Sequence, residues 1–327
     1  MVKLTIIIPV YNAKPYLERC FSELFSQNLE DSEIIVVDDG STDGSGAICD
    51  SFCQGRANCF VIHKTNQGAA SARNEGLRKS QGFFVTFLDS DDYLAKDGIS
   101  HLKKCIDLKP DVDVFLLPYS KIAPSGGVIY CENASKMPDS IQQNHEAALD
   151  YLVHQKRMVV GAWSLLLKRS FLFENSLFFV DGLLSEDVEW CPRVLAKAKV
   201  FSSFPWHDYY FYCIHDNSCS HSGSVANIQA VQKTFFRLGN NCSNSETFGP
   251  DQNFVNGYLC NFFIFSNGSS VFLPKITLPG INRNFYQLRW ILKYGRNSRC
   301  RFFRFLTCIL GFRLSSWLLR FYTKLKK

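Results

Sequence analysis

The stretch FFVTFLDSDDYL, residues 83–94, sets an apolar run against a knot of charge. Phe83 to Leu88 reads as a buried strand. It stops at Asp89, and Asp91 and Asp92 follow at once. Carboxylates packed this closely repel, and each favours its protonated form. A positive charge is therefore expected among them. A single Asp would cap the following helix and meet its dipole, so three exceed that need.

Working outward, the same alternation recurs through the first half. LTIIIPV (4–10), EIIVVDD (33–39), CFVIH (59–63) and VDVFLLP (112–118) read as strands. Helical patterns follow from Leu17, over 42–52, over 69–79 and over 98–108. Continuous apolar strands separated by helices predict an α/β fold, a mostly parallel sheet with helices on both faces. In such sheets ligands bind beyond the carboxyl ends of the strands. Three ends are polar here: Pro9-Val10-Tyr11-Asn12, Asp38-Asp39-Gly40-Ser41 and Asp89-Ser90-Asp91-Asp92. Together they predict an acidic crevice. Such a crevice repels a bare nucleotide but holds a diphosphate if a divalent cation bridges the two. Gly44-Ser45-Gly46 lacks the GxGxxG spacing, which argues against a dinucleotide site.

The net charge of +6 hides an asymmetry. From Arg283 to Lys327 there are 12 Lys or Arg and no Asp or Glu, so the preceding residues carry 24 basic and 30 acidic groups. The 13 cysteines include no CxxC, and Leu4–Val10 lacks a cleavage site. Free thiols in a reducing cytoplasm are the expectation.

TIIIPVYNAKPYLERC, IIVVDDGSTDGS, NQGAASARNEGL and VTFLDSDDYL, in that order and spacing, resemble the inverting family 2 glycosyltransferases with the GT-A fold. The resemblance implies a role for each matching residue. Asp39 would accept a hydrogen bond from the nucleotide base, and Pro9, Tyr11 and Asn12 would line the base and ribose pocket. Arg73 and Ser90 would lie near the nucleotide sugar. Asp89 and Asp91 would form the DxD pair with Asp92 beside them, binding Mn2+ or Mg2+, Asp91 most directly. Asp187 in SEDVEW would be the catalytic base. Glu186 would orient it, while Glu189 would face solvent or pair with Arg193 at i,i+4. The place of Cys213 often holds an Arg in related enzymes, so a diphosphate contact is in doubt.

The segment 207–221 carries His207, Cys213, His215, Cys219 and His221. Its spacing matches no standard zinc pattern. A His completing the metal shell is the sharper reading, with His221 as the candidate, and ordinary strand and loop residues the plainer one. The tail RFFRFLTCILGFRLSSWLLRFYTKLKK has no uncharged run longer than Phe305–Phe312. That falls short of the roughly 20 residues a spanning helix needs. Basic and apolar residues separate to different sides, as in a helix lying on anionic lipid. The alternative is a helix packed on the core with a solvated basic face. No nucleic-acid motif is present.

The expected organisation is a GT-A domain over 1–222, with a nucleotide-sugar part to about 118 and an acceptor part over 119–222. A helical region over 223–327 would end in a membrane-surface segment from about 300. The expected reaction moves a sugar from a UDP-sugar to a lipid-linked or growing glycan acceptor, at the inner face of the cell membrane. The alternatives are a metal-dependent sugar nucleotidyltransferase and a catalytically inactive glycan-binding homologue.

Overall fold

The chain's first two strands are apolar on both sides, and they lie inside a seven-stranded sheet in the computed structural model. Residues 2–132, 137–155, 161–206, 209–215, 224–239, 248–270, 273 and 278–325 are described. In chain order the strands are β1 (Leu4–Val10), β2 (Ser32–Asp38), β3 (Cys59–His63), β4 (Phe84–Phe87), β5 (Tyr93–Leu94), β6 (Val114–Leu116), β7 (Tyr119–Ile122), β8 (Val128–Glu132), β9 (Leu165–Lys168), β10 (Phe201–Ser203) and β11 (Tyr210–Cys213). The helices are α1 (Lys14–Phe25), α2 (Ser45–Cys53), α3 (Ala69–Lys79), α4 (Gly98–Leu108), α5 (His145–His154), α6 (Arg169–Glu174), α7 (Glu186–Lys197), α8 (Val225–Leu238), α9 (Gln252–Ser269), α10 (Leu278–Leu288) and α11 (Ser298–Leu325).

Two compact units result. The first takes Met1–His145, Val159–Trp190 and Lys197–Asp216, and the second Glu146–Met158, Cys191–Ala196 and Asn217–Lys327. The first unit's large sheet runs β10-β6-β9-β4-β1-β2-β3. β1 lies parallel to β2 with Val10 opposite Asp38, and parallel to β4 with Ile7 opposite Phe87. The three polar ends therefore meet at one edge. β9 alone runs antiparallel, between β4 and β6. A smaller sheet runs β5-β11-β7-β8, and its β7–β8 pair is an antiparallel hairpin just after Pro118.

Small residues let α3 sit close to the sheet. Ala72 packs with Ile35 and Val37, and Gly76 faces Ile7 so closely that an added Cβ would collide with that side chain. Beside β4, Trp190 and Phe179 stack at 4.2 Å, with Phe87 edge-on to both. Burying an aromatic side chain of this kind contributes about 1.5–3 kcal/mol. A disulfide joins Cys53, where α2 ends, to Cys59, where β3 begins, with 5.2 Å between their Cα atoms. This departs from the all-thiol expectation: the short turn between the two elements brings these thiols together. The eight other described cysteines with a defined state are free.

The second unit centres on α9, which buries most of its surface. Along α11, Cys300, Phe303, Ser315 and Ser316 are buried, and Asn267 of α9 donates to Ser316 Oγ at 2.9 Å. Arg320 reaches Asn267 Oδ1 at 2.9 Å. By length and composition the helix Ser298–Leu325 contains a stretch apolar enough to cross a membrane. Yet Gly311, at φ 73° and ψ 160°, breaks the helix in two. The other side of both halves is exposed and aromatic, at Phe302, Phe305, Trp317 and Phe321.

The Gly76 contact sets a stability test. Overpacking a core costs about 1–3 kcal/mol, while Gly to Ala in a helix returns about 1 kcal/mol. Gly76→Ala therefore loses up to about 2 kcal/mol in urea denaturation. Gly280→Ala, in α10 with open space around it, is neutral or stabilising.

Candidate active site

The end of β2 supplies two carboxylates with different partners. Asp38 accepts from the Ser41 amide at 3.0 Å and contacts His63 Nδ1 at 2.9 Å. Asp39, almost fully buried, accepts from Lys64 Nζ at 2.6 Å, Gln67 N–H at 3.1 Å and Gly68 N–H at 2.7 Å. Asn12, at φ 48°, ties the end of β1 to this turn by accepting from the Thr42 amide at 2.8 Å. Tyr11 is half-exposed beside it and Pro9 partly so. The four residues matched to a base pocket thus share one corner.

The turn after β4 gathers Asp89, Asp91 and Asp92, with carboxylate oxygens within 4.8 Å of one another. Each has its own partner. Asp89 accepts from Arg73 Nη2 at 2.7 Å. Asp91 meets His215 Nε2 at 2.8 Å, and His215 Nδ1 meets the Tyr16 hydroxyl at 3.1 Å. Asp92 accepts from the Tyr210 hydroxyl at 2.6 Å and the Cys213 amide at 2.7 Å. Burial and the neighbouring carboxylates raise Asp91 and hold Asp92 well above the usual carboxylate range. A hard cation suits this oxygen donor set. Asp92 is almost wholly buried with both oxygens engaged inside the protein, so Asp89, Ser90 and Asp91 form the accessible part of the turn. The trio is the one grouping of metal-ligand side chains among the described residues.

Across the crevice α7 opens on Glu186 and Asp187, after Ser185 at φ 55°. Acidic residues suit a helix's first turn. Asp187 accepts from the Ala162 amide at 3.3 Å. Burial pushes its pKa up to about 8, against the attraction of Arg73. Glu189 is wholly buried, which excludes the solvent-facing alternative of the two expected for it.

Arg73 joins the two sides. Its guanidinium is 4% exposed and bonds Asp89 through Nη2 and Glu186 through Nη1. The positive charge expected among the carboxylates is thus partly the protein's own: Arg73 for Asp89 and Lys64 for Asp39. The sequence reading placed Arg73 near the nucleotide sugar, but its pairing with Glu186, 113 residues away, had no local signal. The contact of His215 with Asp91 was signalled only as part of a His-rich segment, and His221, the candidate chosen there, lies outside the described residues, as do His207 and Cys219. Cys213 turns its amide to Asp92.

A mostly parallel sheet whose strand ends carry these acidic turns is a GT-A-type fold. The chain belongs to glycosyl transferase family 2, whose family model matches residues 5–169. Glycosyltransferase GlyG of Streptococcus pneumoniae is 38% identical over 207 residues, covering 61% of this chain and 67% of that protein. Glycosyltransferase GlyA of the same organism is 34% identical over 190 residues, covering 57% of this chain and 27% of that protein; the chain thus spans about a quarter of it. Among solved structures, S. aureus TarS 1–349 in complex with UDP-GlcNAc superposes with a TM-score of 0.72 at 20% identity, covering 99% of this chain and 92% of that one. That likeness speaks for the fold.

Removing Arg73 tests its bridging role. Leaving buried carboxylates without their cation costs about 3–5 kcal/mol. Arg73→Met loses that much in urea denaturation at pH 8, and the deficit shrinks as pH falls and the stranded carboxylates take up protons.

Proposed function

We propose that this chain is an inverting glycosyltransferase that moves a sugar from a UDP-sugar to a hydroxyl of a lipid-linked or growing glycan acceptor. The observation that carries the reading is the pairing of two acidic groups, Asp89–Asp91 and Glu186–Asp187, on either side of one buried arginine. Asp39 and Asn12 would take the base, with Pro9 and Tyr11 beside them. Asp91 and Asp89 would hold Mn2+ or Mg2+, with His215 in the place first assigned to His221. A divalent cation bound there supplies Lewis-acid stabilisation of the departing diphosphate. Asp187 accepts the proton of the acceptor hydroxyl as that oxygen bonds to the anomeric carbon. The bond from that carbon to the diphosphate breaks, its electron pair leaves with UDP, and the configuration inverts. UDP is favoured as the carrier because the S. aureus TarS structure is a UDP-GlcNAc complex.

A general base acts while unprotonated, and a raised pKa makes it stronger. With Asp187 near 8, transfer rises with pH through that range and falls on the acid side. Asp187→Asn keeps the shape but cannot take the proton. It lowers turnover by about 10²–10⁴ and removes that pH limb, while UDP with Mn2+ still raises the melting temperature. A variant keeping over a tenth of wild-type turnover, on that same scale, removes Asp187 from the role. Release of pyrophosphate would point to nucleotidyl transfer, and no binding of UDP with Mn2+ to an inactive homologue.

The chain would work on the cytoplasmic face of the membrane, held there by α11. Anionic lipid attracts its basic residues, at about 1 kcal/mol for each near the surface, and Phe302, Phe305, Trp317 and Phe321 would enter the interface. Because the inner side of α11 packs on α9, deleting the tail would uncover apolar surface, so an outer-face substitution is the cleaner probe. Trp317→Ser with Phe321→Ser leaves the melting temperature unchanged and reduces sedimentation with phosphatidylserine vesicles. Salt weakens the wild-type binding without abolishing it. Equal sedimentation of variant and wild type would remove α11 from the role.

A further inference from the structure

The smaller sheet presents a cluster of aromatic rings that the reaction above does not use. The pairing of Tyr210 with Tyr119, and of Tyr212 with Lys121, puts these four side chains on one face. Trp163 lies on that face. Its ring stacks on Tyr210 at 4.5 Å and 17° and on Tyr212 at 5.8 Å and 25°, and meets Tyr119 edge-on at 4.8 Å. Gly161 makes this possible, because a Cβ there would strike the indole.

The cluster is fastened to both halves of the site. The Tyr210 hydroxyl accepts from the Asp89 amide at 3.2 Å and donates to Asp92. On the other side Ala162, next to Trp163, donates its amide proton to Asp187. Tyr210 is buried and Trp163 nearly so, while Tyr119, Lys121 and Tyr212 remain partly exposed. Lys121 Nζ stands 5.1 Å over the Tyr212 ring. Tyr119 stands at 84° to Trp163 and Tyr212 at 25°, so the two partly exposed rings offer apolar surface edged by hydroxyls and an ammonium, which suits a ligand with an apolar face and a polar edge. A pyranose ring has that form: its C–H bonds cover one face and its hydroxyls ring the edge. An acyclic polyol phosphate offers no such face.

We propose that Tyr119 and Tyr212, backed by the buried Trp163, form an acceptor subsite that stacks on a pyranose ring and brings one of its hydroxyls to Asp187. This rests on the glycosyltransferase reading for its role, though not for its test. Saturation-transfer NMR of the full chain, without UDP or metal, would use N,N′-diacetylchitobiose, methyl β-glucopyranoside and ribitol 5-phosphate as probes. The expected result is strong transfer to the C–H protons of one pyranoside face, shifted upfield by the rings. Losing one stacking ring weakens binding about threefold to tenfold, as expected for Tyr119→Leu and for Tyr212→Leu. Tyr212→Phe keeps the ring and restores the upfield shift, which a role confined to packing would not produce. Pyranoside signals unchanged in both Leu variants, or transfer to ribitol 5-phosphate alone, overturn the subsite. UDP binding with Mn2+, measured separately, tells the two readings apart: its failure beside intact stacking sinks the reaction and leaves the subsite.

Discussion

A single buried guanidinium holds the active corner together. Arg73 comes from the helix that follows β3, and its two terminal nitrogens reach Asp89 at the end of β4 and Glu186 at the start of α7. Each of those carboxylates belongs to a cluster that would repel itself in isolation. Burial strengthens the attraction, and it also makes any unpaired member costly. The geometry of the crevice is therefore set by where α3 carries Arg73. That placement depends on the small residues, Ala72 and Gly76, that let α3 lie close to β1 and β2.

Much of this was legible in the chain. Strands made of unbroken apolar runs, such as Leu4–Val10 and the 34–37 run of β2, announce themselves because both faces of the sheet are covered there. The acidic turns after β2 and β4 were legible as strand ends that share one crevice, because like charges need a reason to cluster. Other features depended on partners far away in sequence. The four residues of β9 look like part of an apolar patch until β4 and β6 flank them. Helix α9 has no clean apolar stripe, since it is buried on nearly every side, with Asn256 and Asn267 among the buried residues. Glu189 stands at i,i+4 from Arg193, as residues on a solvated helix face do, yet both are buried, and that spacing alone does not announce it.

The tail combines features that the two readings of it treated as alternatives. Its inner side is fixed by contacts to Asn267, as a core helix would be. Its outer side keeps aromatic and basic residues in the open, as a helix on a lipid surface would. Sequence periodicity alone could not divide the residues this way, because the break at Gly311 rotates the second half relative to the first.

The antiparallel strand has a consequence for how the protein is made. β3, β2, β1 and β4 can pair once residue 87 has been synthesised. β6 has no sheet neighbour until β9, around residue 165, slips between it and β4. Until then β4 presents an open edge, a template for pairing with other chains, and closing so long a loop is slow. A chain folding as it emerges would thus expose β4 as well as β3, which stays an edge strand in the finished sheet. The match to the family ends at residue 169, one residue past the strand that seals β4.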